Sequence, residues 1–308
     1  ESQYGNASVD SEGNVYATAI AGNYGLAVAS GVDVNAGNNG YANLFSDGTI
    51  AAAAITGDYS RSYAQGASVD GLYGASAYSI GSIGAVAVTG EGTSQNAAVA
   101  IATGIGVYSQ GGDAYLYSAG SLDATATAGN YAYAQASAAN VYGFYYADVV
   151  SYGQASATAV AGDYSFAGAS GISIDAHYGV ASLVSENIDA FASAGDYSEA
   201  QALGALVDGD YGATATMLGD TSATAITGNY GFSGATGIDV YSFFGDAYLY
   251  NAGAASAGAY TGDYGAAIAQ GAIVDGYGYT QALGAGSFSA VAEAGYDGYA
   301  FANGITVT

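Results

Sequence analysis

The chain of 308 residues contains no cysteine, proline or tryptophan, and it has one methionine, one histidine (His177) and one basic residue (Arg61). Without cysteine, neither a disulfide bridge nor a thiolate metal site is available. A single basic residue cannot neutralise a phosphate backbone or an anionic lipid surface, so nucleic acid and anionic membranes are excluded as partners. No run of about 18 apolar residues occurs, so no membrane span is expected.

What the chain does contain is glycine, tyrosine, alanine and acid. It has 50 Gly and 31 Tyr, and its 26 acidic residues give a net charge of -25. Only 9% of residues are charged and 51% are hydrophobic, a combination that argues against an acidic disordered tail. Because much of the apolar content is alanine, we expect a narrow interior. The charge balance favours cations as partners.

The pattern [AT]-G-[DN]-Y and its variants recur along the whole chain. Successive marker glycines are 35, 33, 39, 33, 33, 33, 34 and 33 residues apart, and they are Gly22, Gly57, Gly90, Gly129, Gly162, Gly195, Gly228, Gly262 and Gly295. A period this regular predicts a repeat architecture. We interpret 1–308 as a single repetitive domain, with a partial coil at 1–13, full coils over 14–294 and a partial coil at 295–308.

Each repeat contains three stretches of alternating residues separated by Gly, Asn and Asp, which predicts three short strands and almost no helix. Near-constant repeat length favours an all-β fold, a parallel β-solenoid of about nine coils with roughly 33 residues and three strands per coil, and with uncapped ends. An antiparallel meander is the alternative. In the solenoid, Ala157, Ala159 and Ala161 face inward, and the longer repeats carry loops.

The tyrosine that follows the corner acid recurs in seven of the nine repeats. In a solenoid these rings would stack on one another and stabilise neighbouring coils. The alternatives are a carbohydrate-binding stripe or a lateral contact between fibres. The predicted stacking residues are Tyr24, Tyr59, Tyr131, Tyr164, Tyr197, Tyr230 and Tyr264.

Acidic residues fall at two positions of the repeat, which predicts two columns of carboxylates. Stacked carboxylates repel unless asparagine, water or a hard cation separates them, and Ca²⁺ accepts six to eight such oxygens. The alternative is that Asp and Asn simply favour turns. No cofactor is required by the sequence. The candidate Ca²⁺ ligands are Asp58, Glu91, Asp163, Asp196 and Asp263 in one column and Asp70, Asp175, Asp208 and Asp275 in the other.

Catalytic chemistry has little support. The single histidine lies at a predicted turn, and a carboxylate pair such as Asp208 and Asp210 lacks the unique loops that enzyme sites usually have. The sequence therefore indicates a protein that is not an enzyme. An ice-binding face is a further alternative, because Thr56, Thr89, Thr227 and Thr261 alternate with alanine in one column.

Both ends of the sequence are out of phase with the repeat and carry no recognisable cap, so they are expected to stack head to tail. The residues expected at this contact are Tyr4, Ala7, Val9, Ile305 and Val307. Glu1 in place of an initiator methionine indicates a processed chain whose signal segment has been removed.

In its "[AT]-G-[DN]-Y" repeats and alternating "ATAVAG" runs, the chain resembles the repetitive β-solenoid surface and fibre proteins that prokaryotes secrete. That resemblance implies an extracellular structural or adhesive role. The predicted function is a self-assembling subunit of an extracellular filament or sheath, with lateral bundling of filaments. The alternative is a monomeric adhesin whose Tyr/Asp corners bind carbohydrate or cations.

Overall fold

The computed structural model describes residues 2–38 and 40–308, which form strands joined by tight turns and contain no helix. The strands are β1 Ser2–Tyr4, β2 Ala7–Ser11, β3 Val15–Ile20, β4 Leu26–Asn38, β5 Tyr41–Ser46, β6 Ile50–Ile55, β7 Arg61–Gly71, β8 Gly74–Ser79, β9 Ile83–Val88, β10 Ala98–Ser109, β11 Asp113–Ser118, β12 Leu122–Thr127, β13 Ala132–Gly143, β14 Tyr146–Val160, β15 Phe166–Ala176, β16 Val180–Ser193, β17 Glu199–Gly209, β18 Gly212–Met217, β19 Thr221–Ile226, β20 Phe232–Ser242, β21 Asp246–Asn251, β22 Ala254–Thr261, β23 Ala266–Gly276, β24 Thr280–Gly284, β25 Ser287–Ala294 and β26 Tyr299–Val307.

These strands form three parallel ladders that run the length of the molecule. The first ladder, here the long ladder, has the order β1-β4-β7-β10-β13-β15-β17-β20-β23-β26. The second ladder contains the second strand of each coil (β2, β5, β8 and onward), and the third ladder contains the third strand (β3, β6, β9 and onward). These two ladders are joined at β14 and β16, because each of these long strands forms both the second and the third strand of its coil. Every ladder pairing in the described part is parallel, which confirms the β-solenoid and rules out the meander.

The interior has two compartments of different width. The second half of each long-ladder strand packs against the second strand of its coil around Ile, Leu, Val and Ala side chains. The first half packs against the third strand, and every buried residue of that cluster is alanine. The predicted inward residues Ala157, Ala159 and Ala161 are all buried there. Alanine on both faces lets the two sheets approach closely, so this half of the coil is thin.

A glycine in the middle of each long-ladder strand joins the two compartments. At Gly171 the alternation of inward residues shifts by one, so that Ala167, Ala169 and then Ile172 all point into the core. A Cβ atom on Gly171 would collide with Cγ2 of Ile188, the first residue of the third-strand segment in the same coil, and would lie 2.5 Å from the carbonyl oxygen of Gly204. The glycine therefore makes room for the large side chain opposite.

One coil carries alanine at this position instead of glycine. By register, Ala138 is the counterpart of Gly104 in the preceding coil and of Gly171 in the next. The residue that occupies the Ile188 position in the Ala138 coil is Ala155. Both Ala138 and Ala155 are fully buried. The added methyl group at one position is thus matched by a smaller side chain at the other.

The extra residues of the longest repeat are placed outside the ladders. Between Gly90 and Val99 the chain has five residues more than the corresponding segment from Gly57 to Arg61, and they lie in the connection over 92–97. Each coil otherwise turns at three corners, which we call the tyrosine corner (after the marker glycine), the aromatic corner (between the first and second strands) and the serine corner (between the second and third strands). No helix long and apolar enough to cross a membrane occurs in the described ranges.

Candidate functional site

The tyrosine corner holds its tyrosine in an unusual backbone conformation. All seven tyrosines that follow a corner Asp or Asn have φ between 52° and 58°. This left-handed region is uncommon for any residue except glycine and costs free energy of about 1–3 kcal/mol when a bulky side chain adopts it. Its recurrence in seven coils indicates that the ring makes contacts that offset the strain.

Those contacts are ring–ring stacks along the axis of the solenoid. Five rings form one continuous stack with centroids 4.8–5.0 Å apart and interplanar angles of 9° or less, namely Tyr131, Tyr164, Tyr197, Tyr230 and Tyr264. Tyr24 and Tyr59 form a second stack at 4.9 Å. The two stacks are separated by the coil in which Glu91 is followed by glycine instead of tyrosine. Each ring inside a stack has both faces covered, so the faces that a sugar would need are occupied.

The last corner reverses the order of its two residues. In "AGYDG" Tyr296 takes the place of the corner acid, and Asp297 takes the left-handed position with φ of 52°. The ring of Tyr296 meets the ring of Tyr264 edge to face, with an interplanar angle of 82° and centroids 5.8 Å apart, so the parallel stack ends at Tyr264.

The corner acids form a ladder of side chain to backbone hydrogen bonds. In each case the Oδ1 atom of an Asp or Asn accepts a hydrogen bond from the backbone N–H of the equivalent residue in the next coil, at 2.7–3.0 Å. The same oxygen lies against the marker glycine of that coil, where a Cβ atom would collide with it, for example Asp196 Oδ1 at Gly228. The donors are Asp58, Glu91, Asp163, Asp196, Asn229, Asp263 and Tyr296.

The second predicted column is also a true column, but tyrosines divide it. By register it runs Asn35, Asp70, Tyr108, Tyr142, Asp175, Asp208, Tyr241, Asp275. Only Asp175 and Asp208 are adjacent. Asp239, which the sequence reading did not single out, lies one coil beyond Asp208 and two residues along the strand, and it is half-buried.

Burial and mutual repulsion perturb these carboxyls. Burial, and after it the charges of Asp175, Asp210 and Asp239, raises the pKa of Asp208 to about 6. Burial and then Asp275 raise the pKa of Asp239 to about 6. The pKa of Asp175 is raised by burial, although His177 opposes the shift. The pKa of Asp70 is raised by burial and by Asp33. Ionisation of these four carboxyls therefore lowers the stability of the folded state.

Within the described ranges no three His, Cys, Asp or Glu side chains converge in a group that could hold a metal ion. Calcium binding by either column stays a prediction. The threonine column proposed for ice binding points inward: Thr56, Thr89, Thr227 and Thr261 are buried, and they hydrogen-bond in pairs at 3.1 Å. They present no face to water, so this alternative is wrong.

The predicted assembly residues lie on the outermost strands of both ends. Ala7 and Val9 are in β2, and Val9 packs against the core. Ile305 and Val307 are in β26, and Ile305 packs against the core from the other end. Tyr4 is in β1, where Ser2 pairs with Ala36 and Tyr4 pairs with Asn38 of β4.

The aromatic corner was missed by the sequence reading. It carries a column of exposed rings, many of them next to glycine, and its most exposed members include Tyr145, Tyr178, Tyr211, Phe243, Phe244 and Tyr277. Within this column Phe243 and Phe244 meet edge to face at 4.4 Å. The recurrence of Tyr-Gly ahead of the second strand was the available signal, but its irregular spacing concealed the column. His177 also lies here, exposed and in contact with Tyr178.

Comparison with known proteins adds no further constraint: no protein-family model, no curated protein and no solved structure matches the chain.

Proposed function

We propose that the chain is a structural subunit that stacks head to tail into an extracellular filament or sheath. The observation that carries the proposal is that the described strands leave open parallel edges at both ends of the solenoid, in matching positions of the repeat. At the head, the end formed by β1 to β3, β1 pairs with the last part of β4, and no described residue pairs with the edge of β4 from Leu26 to Val34. At the tail, β26 has the strand positions that correspond to this open edge.

A second copy placed beyond the tail would therefore continue all three ladders. Strand β26 of the first copy would pair with the open edge of β4, and β1 of the second copy would follow β26 in the same line. Likewise β24 would pair with β2, and β25 with β3, because each pair occupies the same position of the repeat. Unpaired N–H and C=O groups on exposed parallel edges favour such an addition.

The hydrophobic interior also continues across this contact. At the head, Val9 and Val15 are partly buried against the compartment of large side chains. Ala17, Ala19 and Ala21 are partly buried against the alanine compartment. At the tail, Ala282, Phe288 and Ile305 are partly buried against the first compartment. Ala290 and Ala292 are partly buried against the alanine compartment. In one compartment alanine would meet alanine, and in the other a mixture of Ala, Val, Ile and Phe side chains would meet, so stacking would bury both sets. The contact is heterologous and does not close, which is the geometry of a filament.

The test introduces an aspartate on the end strand β26, either at a position that faces the core or at a neighbouring position that faces solvent. Ile305 points inward and Thr306 outward on β26. The wild-type chain and Thr306→Asp are expected to form filaments in electron micrographs. Ile305→Asp is expected to remain monomeric by light scattering, because a charge pointing into the core blocks edge association. Circular dichroism checks that both variants keep their strands. A wild-type chain that stays monomeric at high concentration would refute the proposal.

Head-to-tail contact can be separated from other self-association by mixing two blocked variants. Val9→Asp is expected to block the head, with Ser8→Asp on the outer face of the same strand as its control. Each blocked variant alone should be monomeric, because one of its two ends is inactive. Mixed together, Ile305→Asp supplies a working head and Val9→Asp a working tail, so a discrete dimer should form. Larger oligomers, or no association, in the mixture would contradict a heterologous contact.

A further inference from the structure

The outer face of the long ladder carries a groove of about 590 Å³ that spans the fifth to the ninth of its ten strands. It extends from the strand that holds Tyr133 to the strand that holds Ile268, which is four strand spacings of about 4.8 Å, or about 19 Å. Its volume is in the range of ligand sites on proteins, about 300–1,000 Å³. It lies on the side of the solenoid, and none of its lining residues belongs to an end strand, although its last strand, β23, pairs with β26.

Two phenylalanine rings project over the glycine-rich floor of this groove. The ring of Phe166 extends over Gly168, with its Cε1 atom 2.8 Å from where a Cβ would lie, and the ring of Phe232 extends over Gly234 in the same way at 3.3 Å. Phe166 stacks on Tyr133 at 4.9 Å on one side only. The residues beside Phe232 in its column are Glu199 and Ala266, so no ring covers it. Unlike the rings inside the corner-tyrosine stacks, each of these rings has at least one face that no other ring covers, and Glu199 lies between them in the column.

Polar groups with hydrogen-bonding capacity lie between and beside the rings. The amide nitrogen of Gln201 donates to Glu199 at 2.5 Å, which leaves its oxygen as an acceptor. Gln270 has no side-chain hydrogen bond within the described ranges and adds both a donor and an acceptor. The hydroxyl of Ser170, which lines the groove, is buried and has no hydrogen-bond partner in the described part. A buried hydroxyl without a partner is costly, and a ligand could supply one.

The charges of the groove restrict its ligand. Glu199 and Asp239 are the ionisable groups with negative charge at its surface, and the single basic residue of the chain, Arg61, lies two strands beyond Tyr133. An anionic ligand would be repelled and would find no positive partner. A ligand that combines apolar faces with many uncharged hydroxyl or amide groups would satisfy both the rings and the amides.

We propose that this groove, defined by Phe166, Phe232, Gln201, Gln270, Ser170 and Asp239, binds an uncharged polysaccharide laid along the axis of the rod. The C–H groups of the sugar rings pack on the exposed parts of the Phe166 and Phe232 rings, and the sugar hydroxyls bond to the amides of Gln201 and Gln270 and to Ser170. In a filament the groove recurs once in every subunit, which gives many weak contacts along one glycan strand. The site does not depend on assembly, because neither end strand contributes to it.

The test uses isothermal titration calorimetry of the Ile305→Asp monomer and of the wild-type chain. The probes are the uncharged hexasaccharides of cellulose, chitin, amylose, mannan and xylan, with hexagalacturonate as the anionic comparison. At least one uncharged probe is expected to bind, and hexagalacturonate is expected not to bind. Phe232→Ala should weaken binding about three- to tenfold, which is the contribution of one aromatic stack.

Two further variants keep the outcome decisive. Phe244→Ala removes an equally large exposed ring at the aromatic corner and should leave the affinity unchanged. Gln270→Ala removes a surface amide that packs in no core and should weaken binding without disturbing the fold. The proposal is overturned if none of the five uncharged probes binds, if only hexagalacturonate binds, or if Phe232→Ala and Gln270→Ala bind as tightly as the wild-type chain. Loss of filaments in Ile305→Asp with retained binding would separate this site from assembly.

Discussion

At the scale of single residues, the corner aspartates act through an oxygen that asparagine also carries. The ladder uses Oδ1 as a hydrogen-bond acceptor, and the second carboxylate oxygen has no part in it. This explains why Asp and Asn exchange along the column while longer polar residues are almost absent from it. Asparagine also dilutes the negative charge, which would otherwise accumulate at about 4.8 Å intervals.

Substitutions at Asp196 test this role. Asp196→Asn is expected to unfold at the same or a slightly higher urea concentration, because the acceptor remains and a charge is removed. Asp196→Ala is expected to lose about 1 kcal/mol of unfolding free energy, because the N–H of Asn229 loses its partner. Asp113→Ala, which removes an exposed aspartate outside the ladder, serves as the control. Equal losses in Asp196→Asn and Asp196→Ala would show that charge, not the hydrogen bond, matters.

Asp208 and Asp239 are expected to make the folded protein less stable as the pH rises. Their pKa is about 6 in the folded chain and 3.8 as the reference value without the fold. Between these values the folded state holds protons that the unfolded state has released, so the free energy of unfolding falls as the pH rises from about 4 to 6. Thermal unfolding should therefore occur at a higher temperature at pH 4.5 than at pH 7.

Two asparagine variants assign this pH effect. Asp208→Asn and Asp239→Asn should each raise the melting temperature at pH 7 and reduce the difference between pH 7 and pH 4.5, with Asp113→Asn as the exposed control. A melting temperature that rises with pH over this window in the wild-type chain, and equally in both variants, would contradict the assignment.

At the scale of the strands, the central glycine and the residue that opens the third-strand segment act as a pair. Gly171→Ala should lose about 1–3 kcal/mol through overpacking against Ile188, and Ile188→Ala about 2–5 kcal/mol through a cavity. The double variant reproduces the natural pair Ala138 and Ala155. It should therefore lose at least 0.5 kcal/mol less than the sum of the single losses, as measured by chemical denaturation. Additive losses would show that the two positions are independent.

Much of the strand architecture can be predicted from the sequence. The 33-residue spacing and the alternation of alanine with threonine or valine were sufficient to predict three strands, parallel stacking and the inward face of Ala157 and Ala159. A glycine nine residues after the marker glycine recurs in most coils, as Gly171 does after Gly162, but the coils that contain Gly104 and Ala138 do not fit this pattern. The insertion over 92–97 displaces Gly104 from its usual distance to the marker glycine, and Ala138 has no glycine to recognise.

Other features depend on contacts that no local pattern records. The left-handed backbone of seven tyrosines is accepted because stacking across coils offsets its strain, and neither effect is visible within one repeat. The groove at Phe166 and Phe232 arises because glycine follows each ring two residues later on the same exposed face. In a chain with 50 glycines this spacing had no distinctive signal.

At the scale of the whole molecule, a net charge of -25 opposes the assembly that the open ends favour. Each added subunit brings like charge close to the growing end, and salt screens this repulsion over a Debye length of about 10 Å at 0.1 M. Assembly followed by light scattering should therefore be slower and less complete at 10 mM than at 150 mM sodium chloride. The monomeric Ile305→Asp variant should show no such dependence, and faster wild-type assembly at low salt would contradict this account.

The continuous strands β14 and β16 have a kinetic consequence. They pair through thirteen residue positions, whereas pairs of separate second or third strands join by eight positions or fewer. In a linear array of units coupled only to their neighbours, such a tightly coupled pair is the natural nucleus from which folding spreads toward both ends. Hydrogen exchange should accordingly be slowest for the amides of β14 and β16 and fastest for β1 to β3 and β24 to β26. Uniform protection along the rod would indicate that all coils fold in one cooperative step.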